Sequence, residues 1–187
     1  MKISEIVKTS ATLLAREDVV EYLTTLSSDG VSKNTLETVD VLTRLTNLVI
    51  RELAEGLISM KKTVKVGGRS AISFTELGIE PLSVIAVYDS NGNKLDFTLS
   101  TYGLSASLGL IYQIEYSYLP ENYGLTDTVG TFEKNVTTIM LSYGVLAEFC
   151  LTEARFDEAV MWNDRYVNAI NGLLRPKNGR IKGRTFL

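Results

Sequence analysis

The sequence predicts an α+β protein: mainly a helical bundle of about four helices drawn from both chain ends, with a small antiparallel β domain inserted between them. Two observations predict this class. Apolar residues recur at three-and-four spacing before residue 62 and again after residue 120, and between those stretches the period switches to two. A third observation sets off the tail. The last thirteen residues, 175–187, hold five positive side chains and no acid, in a chain whose net charge is −3. Without those five charges the first 174 residues carry −8. The expected organisation is therefore N-terminal helices over 1–62, a β subdomain over 63–119, C-terminal helices of the same bundle over 120–174, and an extended basic arm over 175–187.

The elements follow in order. Ile3, Ile6, Val7, Leu13 and Leu14 fall near helical spacing, Arg16-Glu17-Asp18 interrupts them, and Val19, Val20, Leu23 and Leu26 resume the stripe. Glu17 and Asp18 suit the positive end of a second helix dipole. Ser27 to Gly30 reads as a turn. The longest helix is expected from about Thr35 to Ile58, with Leu36, Val39, Leu42, Leu45, Leu48, Val49, Leu53 and Leu57 on its stripe. Asn47 lies within it, either as a buried interhelical hydrogen bond or as a solvated side chain.

Strands are expected at Thr63–Val66, Ala71–Phe74, Val84–Tyr88, Leu95–Leu99 and Leu110–Tyr118, with Gly103 and Gly109 as turns around a further short strand, Leu104–Leu108. Asn91-Gly92 is a strong hairpin signal between the third and fourth. The tyrosines at 88, 102, 112, 116 and 118 are expected to cover a small core. After the loop 120–127, Val136, Ile139, Met140, Tyr143, Ala147, Cys150 and Leu151 repeat at helical spacing. Phe156-Asp157-Glu158 opens the last one, whose buried face is Ala159, Trp162, Tyr166, Ala169, Ile170 and Leu173. Pro176 stops it. No internal repeat is evident.

Composition excludes several chemistries. There is no histidine, which removes Ser-His-Asp and Cys-His catalysis and imidazole metal sites. Cys150 is the only cysteine, so no intrachain disulfide or multi-thiolate metal site forms, and its apolar neighbours mark it as core. No apolar run reaches the length of a membrane span, and the start lacks a signal-peptide core, so cytoplasmic synthesis is expected. Gly67-Gly68-Arg69-Ser70 lacks the phosphate-loop spacing and a following helix, and reads as a strand turn. Among the acids, Glu148 stands out on an apolar helix. A buried carboxylate needs a partner, and Arg44 on the long helix is the candidate. No enzyme and no cofactor are expected.

The arm is the one element that composition singles out for binding. Arg175, Lys177, Arg180, Lys182 and Arg184 are interleaved with Ile181 and Phe186, a pattern suited to an acidic, partly apolar surface. Nucleic acid is a second possible partner for these cations. The acidic body argues against extensive duplex binding.

The stretch 141–166, from Leu141-Ser-Tyr-Gly through Ala147-Glu-Phe to Phe156-Asp-Glu-Ala and Trp162-Asn-Asp-Arg-Tyr166, resembles the closing helices of tailed-bacteriophage head-to-tail connector (adaptor, or head-completion) proteins. So do Met1 to Leu26, Asn47 to Ala54, Ile114 to Pro120 and the basic C-terminus. The resemblance implies a structural virion protein of the neck, made in a bacterial host cytoplasm. Its protomers would form a homo-oligomeric ring, commonly a dodecamer, beneath the portal protein. The arm residues Arg175, Lys177, Arg180, Ile181, Lys182, Arg184 and Phe186 would dock the portal. Further neck or tail proteins would bind below, and DNA would pass through the lumen without sequence-specific contact. The large β insert departs from the short loop or hairpin of many connectors. The alternative reading is a monomeric binding module whose β insert holds a peptide or small ligand.

Overall fold

The structure is a computed structural model, and it describes residues 1–25 and 31–175. Among them are six helices and two three-stranded antiparallel sheets, so the class is α+β. The helices number six rather than about four for two reasons. The first helical segment is cut in two at Ala15-Arg16, and a one-turn helix forms within the β part.

Helices α1 (Ile3–Leu13) and α2 (Glu17–Thr25) meet at a tight corner. Ala15 takes a left-handed φ of 55°, and the Arg16 N–H donates to the Ala11 carbonyl at 2.9 Å. Helix α3 (Lys33–Gly56) starts at Ser32, whose hydroxyl accepts from the Thr35 N–H at 3.1 Å. The Thr35 hydroxyl in turn donates to Asp18 at 2.7 Å, tying α3 to the start of α2.

The strands are β1 (Met60–Arg69), β2 (Ala71–Ser73), β3 (Ser83–Tyr88), β4 (Phe97–Ser100), β5 (Gly103–Ala106) and β6 (Ile111–Tyr118). They form the sheets β1-β6-β3 and β2-β5-β4. The short helix α4 (Phe74–Leu77) follows β2. Three expectations change here. Gly67-Gly68 is not a turn between strands. The ladder slips between Lys65 and Arg69 while β1 runs on, and Gly68 supplies the positive φ of 68° that the irregularity requires. The Asn91-Gly92 turn does form, with Asp89 accepting from the Asn91 and Asn93 N–H groups at 2.8 and 2.9 Å. The strands flanking it then part into different sheets, joined by a single Tyr88–Lys94 bridge. Finally, Tyr102 covers no core. It sits 76% exposed at the turn into β5. The two sheets enclose Ile72, Val87, Leu104, Ile111, Ile114 and Tyr116.

Helices α5 (Thr138–Thr152) and α6 (Phe156–Leu174) complete the chain. Helix α5 does not show one buried stripe. Nine of its fifteen residues are buried and they fall all around its axis, so it is a central helix. It lies parallel to α1. Thr138 meets Met1, the Ser142 hydroxyl donates to the Ile6 carbonyl at 3.2 Å, and Leu14 joins the cluster of Leu146 and Cys150. Gly144 lets α5 close on its neighbours, because a β-carbon there would stand 2.8 Å from Val49 of α3 and 3.2 Å from the Tyr166 ring of α6.

The α5–α6 corner repeats the α1–α2 corner. Ala154 also has φ 55°, and the Arg155 N–H reaches back to the Cys150 carbonyl at 2.8 Å. Each corner arginine pairs with an acid in the next turn, Arg16 with Asp18 and Arg155 with Glu158. The repeat is of geometry and of an Ala-Arg pair, too short for sequence periodicity to expose. Among the described residues no helix is long and apolar enough to cross a membrane.

Candidate functional site

Of the arm residues singled out in the sequence, only Arg175 falls among the described residues, where its N–H closes α6 on the Asn171 carbonyl at 3.1 Å. Lys177, Arg180, Ile181, Lys182, Arg184 and Phe186 lie outside the described residues. The point of departure is nonetheless informative. Helix α6 folds back along α5, with Tyr143 stacked on Trp162 at 5.8 Å and Gly144 against Tyr166. The end of α6 is therefore at the start of α5. That end also holds the first residues of α1, where Ile3 N–H donates to the Asp127 carbonyl at 3.0 Å. It holds the root of β1 as well, where Lys61 N–H donates to Thr131 at 2.9 Å. The chain leaves α6 at the end of the helical part that carries the sheets.

Helix α6 has a second face. Ala159, Trp162 and Ile170 are buried, and Tyr166 is largely so. Beside that face run Phe156, Val160, Val167 and Leu174, at relative positions 0, 4, 11 and 18, with Asn163 and Asn171 between them. All four apolar side chains are exposed, Phe156 by 64% and Val160 by 62%. Their spacing is that of a helix–helix seam. The sequence reading placed these residues at no surface, because the 3.6-residue period also fits the true core stripe and only packing decides which of two adjacent stripes is covered.

The β part carries a groove of about 1150 Å³ between α4, the β4–β5 turn and the end of β6. Phe74, Tyr102, Tyr116 and Tyr118 line it, and Lys62, Glu80 and Glu121 supply its charge. Burial, with Tyr123 alongside, pushes the Tyr118 phenol up to about 12, so it stays a neutral hydrogen-bonding group. The aromatic lining with a few polar groups suits an extended peptide or a small ligand.

Glu148 corrects an expectation. Arg44 does not reach it. Arg44 pairs instead with Asp40 on its own helix at 3.0 Å. Glu148 is half-buried, and burial together with the negative charge of Glu52 raises its carboxyl above the usual range. The α3–α5 contact at this level therefore brings together two acids. Tyr166 completes the corner, its phenol pushed up to about 12 mainly by burial and further by Glu52 and Glu148. The Cys150 thiol is buried and pushed up, a packed core group. Arg165 lies over the Trp162 ring, 4.7 Å from its centroid. Glu158 pairs with Arg155. Arg44, Arg155 and Arg165 are thus each held by a structural neighbour, whereas Glu148 faces only the like charge of Glu52. Among the described residues no group of three or more cysteine or acidic side chains is arranged to hold a metal ion.

No protein-family model matches the chain, and a search of curated proteins finds no significant match.

Proposed function

We propose that this chain is a structural connector protein of a tailed-phage neck: a helical bundle with an inserted β domain, assembled as a homo-oligomeric ring under the portal and docked to it by the basic C-terminal arm. The observation that carries this reading is the bare apolar seam of α6, which leads directly into the cationic segment. A helix that leaves Phe156, Val160, Val167 and Leu174 in water costs solubility unless another surface covers them. An acidic body of charge −8 suits a lumen through which DNA slides without sticking. The resemblance of residues 141–166 to connector closing helices points the same way. In this reading the protein is no enzyme, and its partners are copies of itself, the portal, further neck or tail proteins, and DNA in transit.

Deleting residues 175–187 tests the arm. The shortened chain should fold, with unchanged circular dichroism, and should fail to join portal-bearing particles. Attachment at the wild-type level would remove the arm from the proposal.

The groove of the β part favours a second reading, a monomeric module that holds a peptide or small ligand. Light scattering on the chain alone and with portal separates the two. A connector gains mass on the portal, whereas a module stays monomeric and loses ligand binding on Tyr102→Ala and Phe74→Ala.

A further inference from the structure

The two helical corners stand at one level. Helices α1 and α5 run parallel, Arg16 at the first corner feels the charge of Glu153 at the second, and Leu14 packs in the cluster of Cys150 and Trp162. From these corners α2 and α6 both turn back the same way. Lys8 of α1 donates to the Thr24 hydroxyl of α2 at 2.9 Å, and Tyr143 of α5 stacks on Trp162 of α6. Helix α2 is carried by α1 and α3, and helix α6 by α5. The two outer helices are thus parallel, start at the same height, and pack on different helices of the bundle.

Their corners differ in shape. At the α6 corner, Phe156 projects into solvent. At the α2 corner there is a hollow of about 430 Å³, lined by Thr12, Ala15, Val20 and Glu21 among others. A phenyl ring fits a hollow of that size. A knob beside one outer helix and a hollow at equal height beside the other can meet under rotation about an axis parallel to the helices.

We infer that Phe156 of one copy seats in the α1–α2 corner hollow of the next, so that the α6 seam of each protomer packs beside α2 of its neighbour in a head-to-tail contact. The occupant is a second copy because one chain carries both halves of the fit at the same level. An unrelated partner would account for only one of them. This inference rests on the ring reading and names its contact.

The test uses the full chain with paired cysteines, since Cys150 is buried and does not compete. Val160→Cys with Glu21→Cys in one chain, which keeps Phe156, oxidised with copper phenanthroline, should give a ladder of covalent oligomers on non-reducing gels, both free and on portal-bearing particles. Each single variant should stay monomeric, and mixing the two singles should stop at dimers. In parallel, Phe156→Asp should weaken self-association by roughly tenfold or more, as loss of an aromatic anchor does, while melting like wild type. Covalent dimers from Val160→Cys alone would mean a two-fold contact and overturn the inference. Oligomers seen by light scattering without a ladder would overturn the inference and leave the ring reading standing. Neither oligomers nor a ladder, even on particles, would overturn both.

Discussion

The side chain of Asn47 pairs with the backbone of Tyr123 in both directions. Its Oδ1 accepts from the Tyr123 N–H at 2.7 Å, and its Nδ2 donates to the Tyr123 carbonyl at 2.9 Å. The amide acts as a one-residue strand partner and fixes the loop after β6 to α3. Tyr123 then passes the constraint on, its hydroxyl accepting from the Gly130 N–H at 3.2 Å. Asn47→Ala leaves both Tyr123 backbone groups without this partner and should cost about 2–3 kcal/mol, read as a lower urea midpoint at unchanged slope. Asn47→Asp keeps the acceptor but not the donor, and should fall between alanine and wild type.

Ala15 and Ala154 hold a left-handed backbone that alanine disfavours. Glycine accepts it without a β-carbon. Ala15→Gly and Ala154→Gly should each stabilise the protein by about 0.5–1 kcal/mol. The sites lie on different helix pairs, so thermal melts of the double variant should show the two gains adding.

Gly103 pairs with Ser73 across β2–β5, and a β-carbon on it would run into the Ile72 carbonyl. Backbone atoms there cannot swing aside as a side chain would. Gly103→Ala should therefore destabilise by about 1–3 kcal/mol. Hydrogen exchange should quicken at Ala71 to Ser73 first, because the strain falls on that pairing.

Two carboxylates should move stability in opposite directions with pH. The Arg16 guanidinium, joined by the Thr35 hydroxyl, holds Asp18 well below the usual carboxylate range. Its contribution is present above the unfolded value near pH 4 and is lost as pH falls through the folded one. Glu148 is raised by burial and by Glu52, so its contribution is full below the unfolded value and lost as pH rises through the folded one. Asp18→Asn should lower the urea midpoint at pH 7. Glu148→Gln should raise it at pH 7 and leave it unchanged near pH 3. A drop with Glu148→Gln at pH 7 would mean that the carboxylate has a favourable partner.

What the sequence made legible is what local periodicity encodes. The long α3, the buried stripe of α6 and the existence of β6 follow from spacing that each segment carries by itself. Ile111 and Ser117 are nonetheless buried and Leu110 and Tyr112 exposed, against the alternation expected of that strand. The partners of polar groups were less accessible. Asn47 lies 76 residues from Tyr123, and nothing near either one announces the other. Glu148 was matched to Arg44 by charge alone, but Arg44 found an acid four residues away on its own helix, the shorter route. The corner at Ala15 was visible as an interrupted stripe. Its left-handed residue was not, because alanine is no turn signal. Which flank of α6 stays bare depends on where α5 and α3 come to rest, and that is a property of packing. All of the arm but Arg175, the residues on which the portal-docking reading leans, lies outside the described residues.

The central position of α5 bears on how the protein is made. A growing chain on the ribosome carries α1, α2 and α3 long before residue 152, the end of α5, has emerged. Until then those helices border an open greasy slot whose filler is still being synthesised, and the sheets between cannot supply it. Half-made molecules crowded together on polysomes would cling to one another through that slot. The interval before its closure is when chaperone cover matters most to the yield of this protein.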